Sequence, residues 1–434
     1  MIDYLQAAAQ AASFIDCQRL DKPGLWRRSA GSERRDRSLY HGSAGILLLL
    51  LELHAATGNR DRLDQAIAAG EEIAEYLGKP DWLSVSVATG WPGYAFALAE
   101  LGRISGRKDF LLLAGACLER LRAQATQFGT GLGWIEPMPF SDITGFTGDR
   151  EIYDQSVGSA GAALVMLHAH RAGLHPEALA WAVATGDRLL DVAEIDPDGL
   201  RWQLMSDMPF PFTTPNFAHG GAGVGYLMAQ LFRATGDRRF LHAACEAARY
   251  VLSRAAPVGD GCLVCRTEEA ADPIFYLGQC HGPAGTGRLF LELYDITGEA
   301  AWLGHAKALV RGLEALGAPE ARSVGLWNNY GQCCGDAGIG EFALLLASRT
   351  GETRYLDLAR RCADVILAAS VVHDDQRHWV QAEHRDRPDF VEAQTGYMQG
   401  AAGIASFLLH LATTLDGKPV KLALPDWPDC GRGT

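Results

Sequence analysis

Three cysteines stand in matching places in this sequence. Cys280 lies in QCHGPAG, and Cys333 and Cys334 lie in QCCGDAG. In both segments the thiols sit one or two residues before a glycine that opens an apolar run. His281 and His219 hold the position immediately before such a glycine, His219 in AHGGAG. Together these residues offer three to four soft ligands. Three thiolates at helix N-termini suit Zn2+, because the helix dipole favours the ionised thiol. Three protein ligands and one exchangeable position make a catalytic zinc centre rather than a structural one. Cys280, Cys333 and Cys334 are therefore the expected metal ligands. His281 is either a further ligand or a proton-transfer residue. The other cysteines read differently. Cys17, Cys117, Cys245 and Cys362 fall on helical patterns as small hydrophobes. Cys262 and Cys265 form a CxxC in a strand-like segment, with no second CxxC to complete a metal site. His41 reads as structural, being far in sequence from the cysteines.

These side chains meet only if the fold brings their turns together. The pattern Gly, any residue, Ala or Pro, Gly, then an apolar run occurs seven times. Its first glycines are Gly42, Gly90, Gly158, Gly220, Gly282, Gly335 and Gly400. They are separated by 48, 68, 62, 62, 53 and 65 residues, the mark of a repeat architecture. Each pattern opens a helix, since apolar residues such as Ile339, Phe342, Leu345 and Leu346 recur at helical spacing. Stops such as ATGN, ATGD, ITGE and RTGE follow, each resembling a C-cap turn. A second, amphipathic helix usually comes next, as in RYLDLARRCADVILAAS from Arg354. The first helix of each pair is apolar nearly all round and belongs inside.

Paired helices in series form an open solenoid or a closed ring. A solenoid needs polar end repeats, yet ILLLLLEL in the first copy and GIASFLLHLA in the last are as apolar as the rest. The expected fold is all-α: an α/α toroid, or barrel, of seven helix-pair repeats. The repeats start near residues 40, 88, 156, 218, 280, 333 and 398, in one domain over residues 1–434. Glycine suits the turns because φ can be positive and backbones can pack closely. Segments beginning near Gly131, Gly199, Gly261, Val324 and Arg377 carry Trp or apolar residues after a turn signal. They predict short β-hairpins decorating the turn end. Of 49 glycines, 14 are the paired glycines of these turns, which accounts for most of a surplus of roughly 19 over ordinary usage.

Composition narrows the function. The 434 residues carry a net charge of −13, which argues against nucleic acid or an anionic membrane as partner. The longest apolar run, Ile46 to Leu51, is too short to span a bilayer, so no transmembrane segment is expected. The first residues lack the basic flank and cleavage pattern of a signal peptide. Ten cysteines are too sparse for a disulfide scaffold. A cytoplasmic protein with reduced thiols is expected. Glycoside hydrolysis, another toroid chemistry, needs paired carboxylates, and the turn positions contain none. Asp154 and Asp336 are poor substitutes.

Seven G-x-A/P-G repeats with CHG and CCG turns resemble the lanthionine synthetase C family, and the resemblance runs from Tyr40 to about Leu415. It implies an α/α toroid with a central zinc. It also implies cyclisation of dehydrated peptides, in which a cysteine thiol adds to dehydroalanine or dehydrobutyrine to leave a thioether ring. Residue by residue, Cys280 matches the first ligand, in QCHG, where Gln279 replaces a tryptophan. Cys333 matches the second. Cys334 stands where histidine is usual, an all-cysteine variant that occurs within the family. His219 matches the family's histidine before the repeat-four glycine, and Asp154, in IYDQSVG, matches its aspartate. Tyr276 replaces an expected arginine. His219 is the expected proton carrier, with Asp154 orienting it or the substrate thiol; His281 is a second candidate. No dehydration domain fits before the first repeat, so a separate dehydratase and a dehydrated precursor peptide are the expected partners. Two alternatives share the same zinc site: addition of glutathione or another thiol to dehydrated residues, and a non-catalytic zinc-bearing adaptor. Aromatic-rich inserts near Trp134 to Phe146 and Trp202 to Phe217 either line a peptide groove or pack over the barrel mouth.

Overall fold

The computed structural model describes residues 3–137, 148–208, 213–268, 274–418, 422 and 424–427. Among these, seven helices begin at the repeated glycine patterns. They are α2 (Ser43–Thr57), α4 (Trp91–Ser105), α6 (Ser159–Arg171), α8 (Gly221–Thr235), α10 (Pro283–Thr297), α12 (Asp336–Thr350) and α14 (Ala401–Leu415). Most of their residues are buried, and each packs on the next. The last, α14, packs on the first, α2, so the series closes into a ring. Outside lie α3 (Arg60–Leu77), α5 (Lys108–Ala123), α7 (Ala178–Asp191), α9 (Arg238–Ser253), α11 (Ala300–Ala315) and α13 (Thr353–Ala368), each against its preceding inner helix. They bury only one stripe, as Tyr355, Leu358, Ala359, Cys362 and Ile366 do in α13. The seventh outer helix comes from the other end of the chain: α1 (Tyr4–Cys17) packs on α14. The toroid is thus confirmed, with its closing pair made from both ends of the repeat series.

Inner helices end where their stops predict. Gly58 and Gly351 adopt the left-handed conformation at φ 72° and 68°, which glycine tolerates without a Cβ clash. Asn59 then caps α3, its side chain accepting from the Asp61 amide at 2.9 Å. Of the two reasons expected for the turn glycines, only close packing applies. Their φ is negative, as at Gly42 (−124°) and Gly335 (−118°), so conformational freedom is not the reason. Close approach is. A Cβ on Gly158 would lie 2.5 Å from the carbonyl oxygen of Ile152, and one on Gly400 2.6 Å from that of Gln394. The second glycine of each pair is crowded in the same way. Both meet the backbone of the residue six positions earlier, because the turn folds back over its own helix.

The turns are joined in a circle. The residue two places before each first glycine donates its amide to the matching carbonyl of the next repeat. The order is Tyr40 to Ala88, then Ser156, Ala218, Cys280, Cys333, Met398 and back to Tyr40, at 2.8–3.3 Å. Seven backbone hydrogen bonds therefore close on themselves around the axis.

Two-residue turns join β1 (Thr126–Phe128) to β2 (Gly131–Gly133), β5 (Glu194–Asp196) to β6 (Gly199–Arg201), β7 (Ala255–Val258) to β8 (Gly261–Val264) and β9 (Val371–His373) to β10 (Gln376–His378). The Val324 segment makes only a single bridge, Ser323 to Leu326, instead of the expected hairpin. Short pairs β3 (Ile135–Pro137) with β4 (Asp149–Glu151), and β11 (Gln381–Ala382) with β12 (Val391–Glu392), were not foreseen. Trp134, Trp202 and Trp379 each donate an indole N–H to a carbonyl of the preceding outer helix, Leu121, Leu189 and Ile366, at 2.7–2.8 Å. Trp134 and Trp202, which open the two aromatic inserts, thus act as packing and capping residues. Residues 138–146 and 209–212 of those aromatic inserts lie outside the described residues.

A buried charge cluster holds the closing seam. His410 of α14 meets Glu341 of α12 through Nδ1 and Glu52 of α2 through Nε2, both at 2.7 Å. Burial opposes its charge, but the two carboxylates outweigh burial and hold the imidazole well above its ordinary range.

Two outcomes follow. Gly223→Ala forces the new methyl into the Phe217 carbonyl and should lower stability by about 1–3 kcal/mol, read by urea unfolding. His410→Ala leaves two buried carboxylates without their cation and should cost roughly 3–5 kcal/mol. Because the native imidazole is the more basic, its contribution is complete below a pH of about 6.5, the ordinary imidazole value, and fades as pH rises through the raised native value. The gap between His410→Ala and the parent in thermal unfolding should therefore narrow in alkaline buffer. An unchanged gap would contradict the assignment.

Candidate functional site

The seven hydrogen-bonded ring residues all line one cavity of about 80 Å3 at the turn end of the inner helices. Leu39, Val87, Leu164 and Met398 make it largely apolar, and His219, Gln155 and Gln279 add polar edges. Cys280 and Cys333 face it because they occupy ring positions; Cys334 follows Cys333 at the N-cap side of α12.

The three sulfurs all lie within 4.8 Å of one another. Cys280 Sγ is 3.6 Å from Cys334 Sγ, which is 3.5 Å from Cys333 Sγ. A tetrahedral zinc with Zn–S bonds of about 2.3 Å holds its sulfurs roughly 3.8 Å apart, so the donor set and its spacing fit that ion. Without a metal the thiols share their protons unequally. Hydrogen bonds from Cys280 and Cys334 hold the Cys333 thiol far below its ordinary range, while Cys280 and Cys334 are driven up. The trio is already poised to carry negative charge. Among the described residues no other group of three His, Cys, Asp or Glu side chains comes together in this way, so Cys262 and Cys265 stay outside any such centre.

His219 Nδ1 meets Asp154 Oδ2 at 2.8 Å, which joins repeat three to repeat four. Burial alone would lower the imidazole's pKa, but the Asp154 carboxylate reverses this and raises it. His281 behaves oppositely. Burial, the neighbouring His219 and the Arg266 guanidinium push it well below its ordinary value, so it is neutral at pH 7. Its ring lies 5.4 Å from that of His219, and its buried Nδ1 has no hydrogen-bond partner among the described residues. The metal group itself is made of the three thiols without it. Asp336 pairs with Arg322 at 2.8 Å, away from Asp154, so the two aspartates form no carboxylate pair.

Four residues escape a reading by sequence position. Tyr40 is held against Cys333, with burial and the nearby thiols raising its pKa well above its ordinary value. Gln399 donates from Nε2 to the Tyr40 hydroxyl at 3.0 Å and to Cys334 Sγ at 3.6 Å. Both occupy the aligned positions before the glycines; ring closure is what sets repeats seven and one beside repeat six. His41 comes with them, 3.5 Å from Glu383 and close enough to Cys333 to feel its charge, so it is nearer the centre than its sequence position implies. Arg266, following β8, lies 5.2 Å over the Tyr276 ring. Its buried Nε lacks a hydrogen-bond partner among the described residues. Tyr276 in turn accepts from Arg385 Nε at 3.1 Å and packs edge-on against Trp327 and His281.

Asp154→Asn should lower the His219 pKa, since it removes the carboxylate that offsets burial. A carbon-13 NMR titration of the imidazole would register this, and a His219 titration that stayed in place would break the proposed pairing.

The comparisons can be set against this geometry. A nisin cyclase structure superposes with a TM-score of 0.65 over 98% of this chain and 97% of that one, at 16% identity. An α-mannanase from Bacteroides thetaiotaomicron gives 0.52 over 96% and 97%, at 14% identity. A cellobiose 2-epimerase from Bacillus thermoamylovorans gives 0.53 over 95% and 100%, at 9% identity. At such identities the likeness is one of fold. No curated protein sequence matches the chain significantly. The family model described as lanthionine synthetase C-like protein matches residues 149–419, a stretch that holds Asp154, His219 and the three clustered cysteines. This chain belongs to the lanthionine synthetase C-like family.

Proposed function

We propose that this protein is a zinc-dependent peptide cyclase that adds a cysteine thiol to dehydroalanine or dehydrobutyrine, forming a thioether ring. One observation carries the reading: of three thiols spaced for zinc, two face the same small cavity as an imidazole backed by a buried carboxylate. Zinc held by Cys280, Cys333 and Cys334 would supply a Lewis acid that makes a substrate thiol ionise near neutral pH.

The chain's own residues do the rest. Asp154 holds Nδ1 of His219 and so fixes the orientation of the ring toward the cavity that it lines. The substrate thiol gives up its proton as its sulfur bonds to the β-carbon. The π-electron pair of the dehydro residue moves to the α-carbon and its carbonyl, and His219 returns a proton to the α-carbon. The net reaction is addition of S–H across C=C. The charge of Arg266, felt at both His219 and His281, favours the negative charge that develops on the substrate carbonyl. Its charge and that of His219 also keep His281 neutral, so His281 serves better as a packing and hydrogen-bonding residue than as the proton donor. Tyr40 and Gln399 steady the negative sulfurs from behind. The substrate is a precursor peptide dehydrated by a separate enzyme, and the reduced cysteines suit a cytoplasmic setting.

Purified protein should carry about one zinc per chain, lost in Cys280→Ala or Cys333→Ala. It should convert a dehydrated, cysteine-containing peptide into a product of unchanged mass that no longer reacts with thiol alkylators. A product heavier by glutathione would favour the small-thiol reading, and zinc without turnover the adaptor. His219→Asn should slow turnover by about 10²–10⁴-fold while zinc is retained. Full zinc occupancy in the Cys280→Ala, Cys333→Ala double variant would overturn the centre.

A further inference from the structure

The reaction cavity has a second wall that belongs to no repeat. Leu424, Pro425 and Asp426, beyond α14, line it together with the ring of seven, and Asp426 is held by Arg288, well inside α10 from the turn that carries Cys280. This segment lies outside the stretch that the family model matches. It packs within the toroid, where Leu422, Leu424 and Trp427 join the main core. Trp427 sits edge-on to His410, with ring centroids 5.5 Å apart, beside the closing seam.

Asp426 pins it. Its carboxylate accepts from Arg288 of α10 at 2.9 Å and from Gln279 Nε2 at 2.8 Å. Arg288 is 1% exposed and Gln279 5%, so the pin is buried from both sides. Gln279 directly precedes Cys280, so the pin reaches the backbone that carries a zinc-spaced thiol. Gln279 and Arg288 are thereby explained: both reach inward to hold this segment. With the pin in place, Leu424 and Pro425 present apolar surface to the space into which Cys280, Cys333 and His219 also face.

A group that reacts between those thiols and His219 must occupy this space. Its depth is set by the wall opposite. We propose that residues 424–426 form the floor of the reaction pocket and that Leu424 determines which dehydro residue the enzyme accepts. Dehydroalanine and dehydrobutyrine differ by one methyl group, the scale of difference that a tight apolar pocket discriminates by about 10-fold or more. The inference rests on the cyclase reading for its substrates, but the shape of the floor can be tested apart from it.

Two opposed variants form the test, each carried in the full chain with zinc content checked. Leu424→Ala deepens the pocket and should raise turnover of a dehydrobutyrine peptide relative to its dehydroalanine twin by about 10-fold. Leu424→Phe should shift the same ratio the other way. General loosening of the fold would not move the two in opposite directions. In parallel, zinc-free protein is alkylated with iodoacetamide and with the bulkier N-cyclohexylmaleimide, and modification of Cys280 and Cys333 is read by mass spectrometry. The bulky reagent should gain on the small one in Leu424→Ala and lose in Leu424→Phe. If the alkylation ratio does not move, the floor is wrong. If it moves while the peptide ratio stays fixed, Leu424 does not set specificity. If the parent turns over neither peptide, the cyclase reading fails, and the alkylation ratio still decides the floor.

Discussion

The structure depends on a closed circle of seven backbone hydrogen bonds. Each repeat donates one amide and accepts at one carbonyl, so no repeat can leave without breaking two bonds. The circle also fixes direction. A residue whose amide and carbonyl both serve the ring has only its side chain left to point elsewhere, and all seven such side chains line the cavity. The paired glycines make this possible, because each turn must fold back onto its own helix closely enough to leave no room for a Cβ. The geometry of the candidate site is thus a by-product of closure: Cys280 and Cys333 are adjacent in the circle for the same reason that α10 and α12 are adjacent in the barrel.

Electrostatics then separates residues of similar type. Two histidines at equivalent turn positions shift in opposite directions, His219 raised by Asp154 and His281 lowered by burial among positive neighbours. Three thiols likewise divide into one readily ionised and two not, through hydrogen bonds among themselves. Deeper in the toroid the ionic groups serve structure. His410 ties α12, α14 and α2, while Arg288 holds Asp426. Buried groups of this kind specify one arrangement, because any slip leaves a charge without its partner.

Much of this was legible from residues alone. Register along seven repeats placed Cys280, Cys333 and Cys334 at one end of the barrel, and the apolar character of the first helix in each pair placed those helices inside. The same register holds Tyr40 and Gln399, yet distance along the chain concealed their role. Residues from repeats one and seven become neighbours only when the ring closes. Arg266 and Asp426 had no register to betray them, since one follows a hairpin and the other lies beyond the last repeat. Of the two properties that suit glycine to these turns, close backbone packing is the one used, and positive φ is not.

Sequence by itself determined the periodic features: seven helix pairs, the inner and outer faces, the turn end, and which thiols share it. Local rules suffice there, since helical spacing, caps and the glycine pattern act within a few residues. Only the tertiary structure decided which end of the chain supplies the seventh outer helix, which imidazole holds its proton more tightly, and what else lines the cavity. Those outcomes depend on burial and on partners tens to hundreds of residues away, such as Arg288 with Asp426 and Glu52 with His410. No local pattern encodes them, because they exist only once the ring is shut.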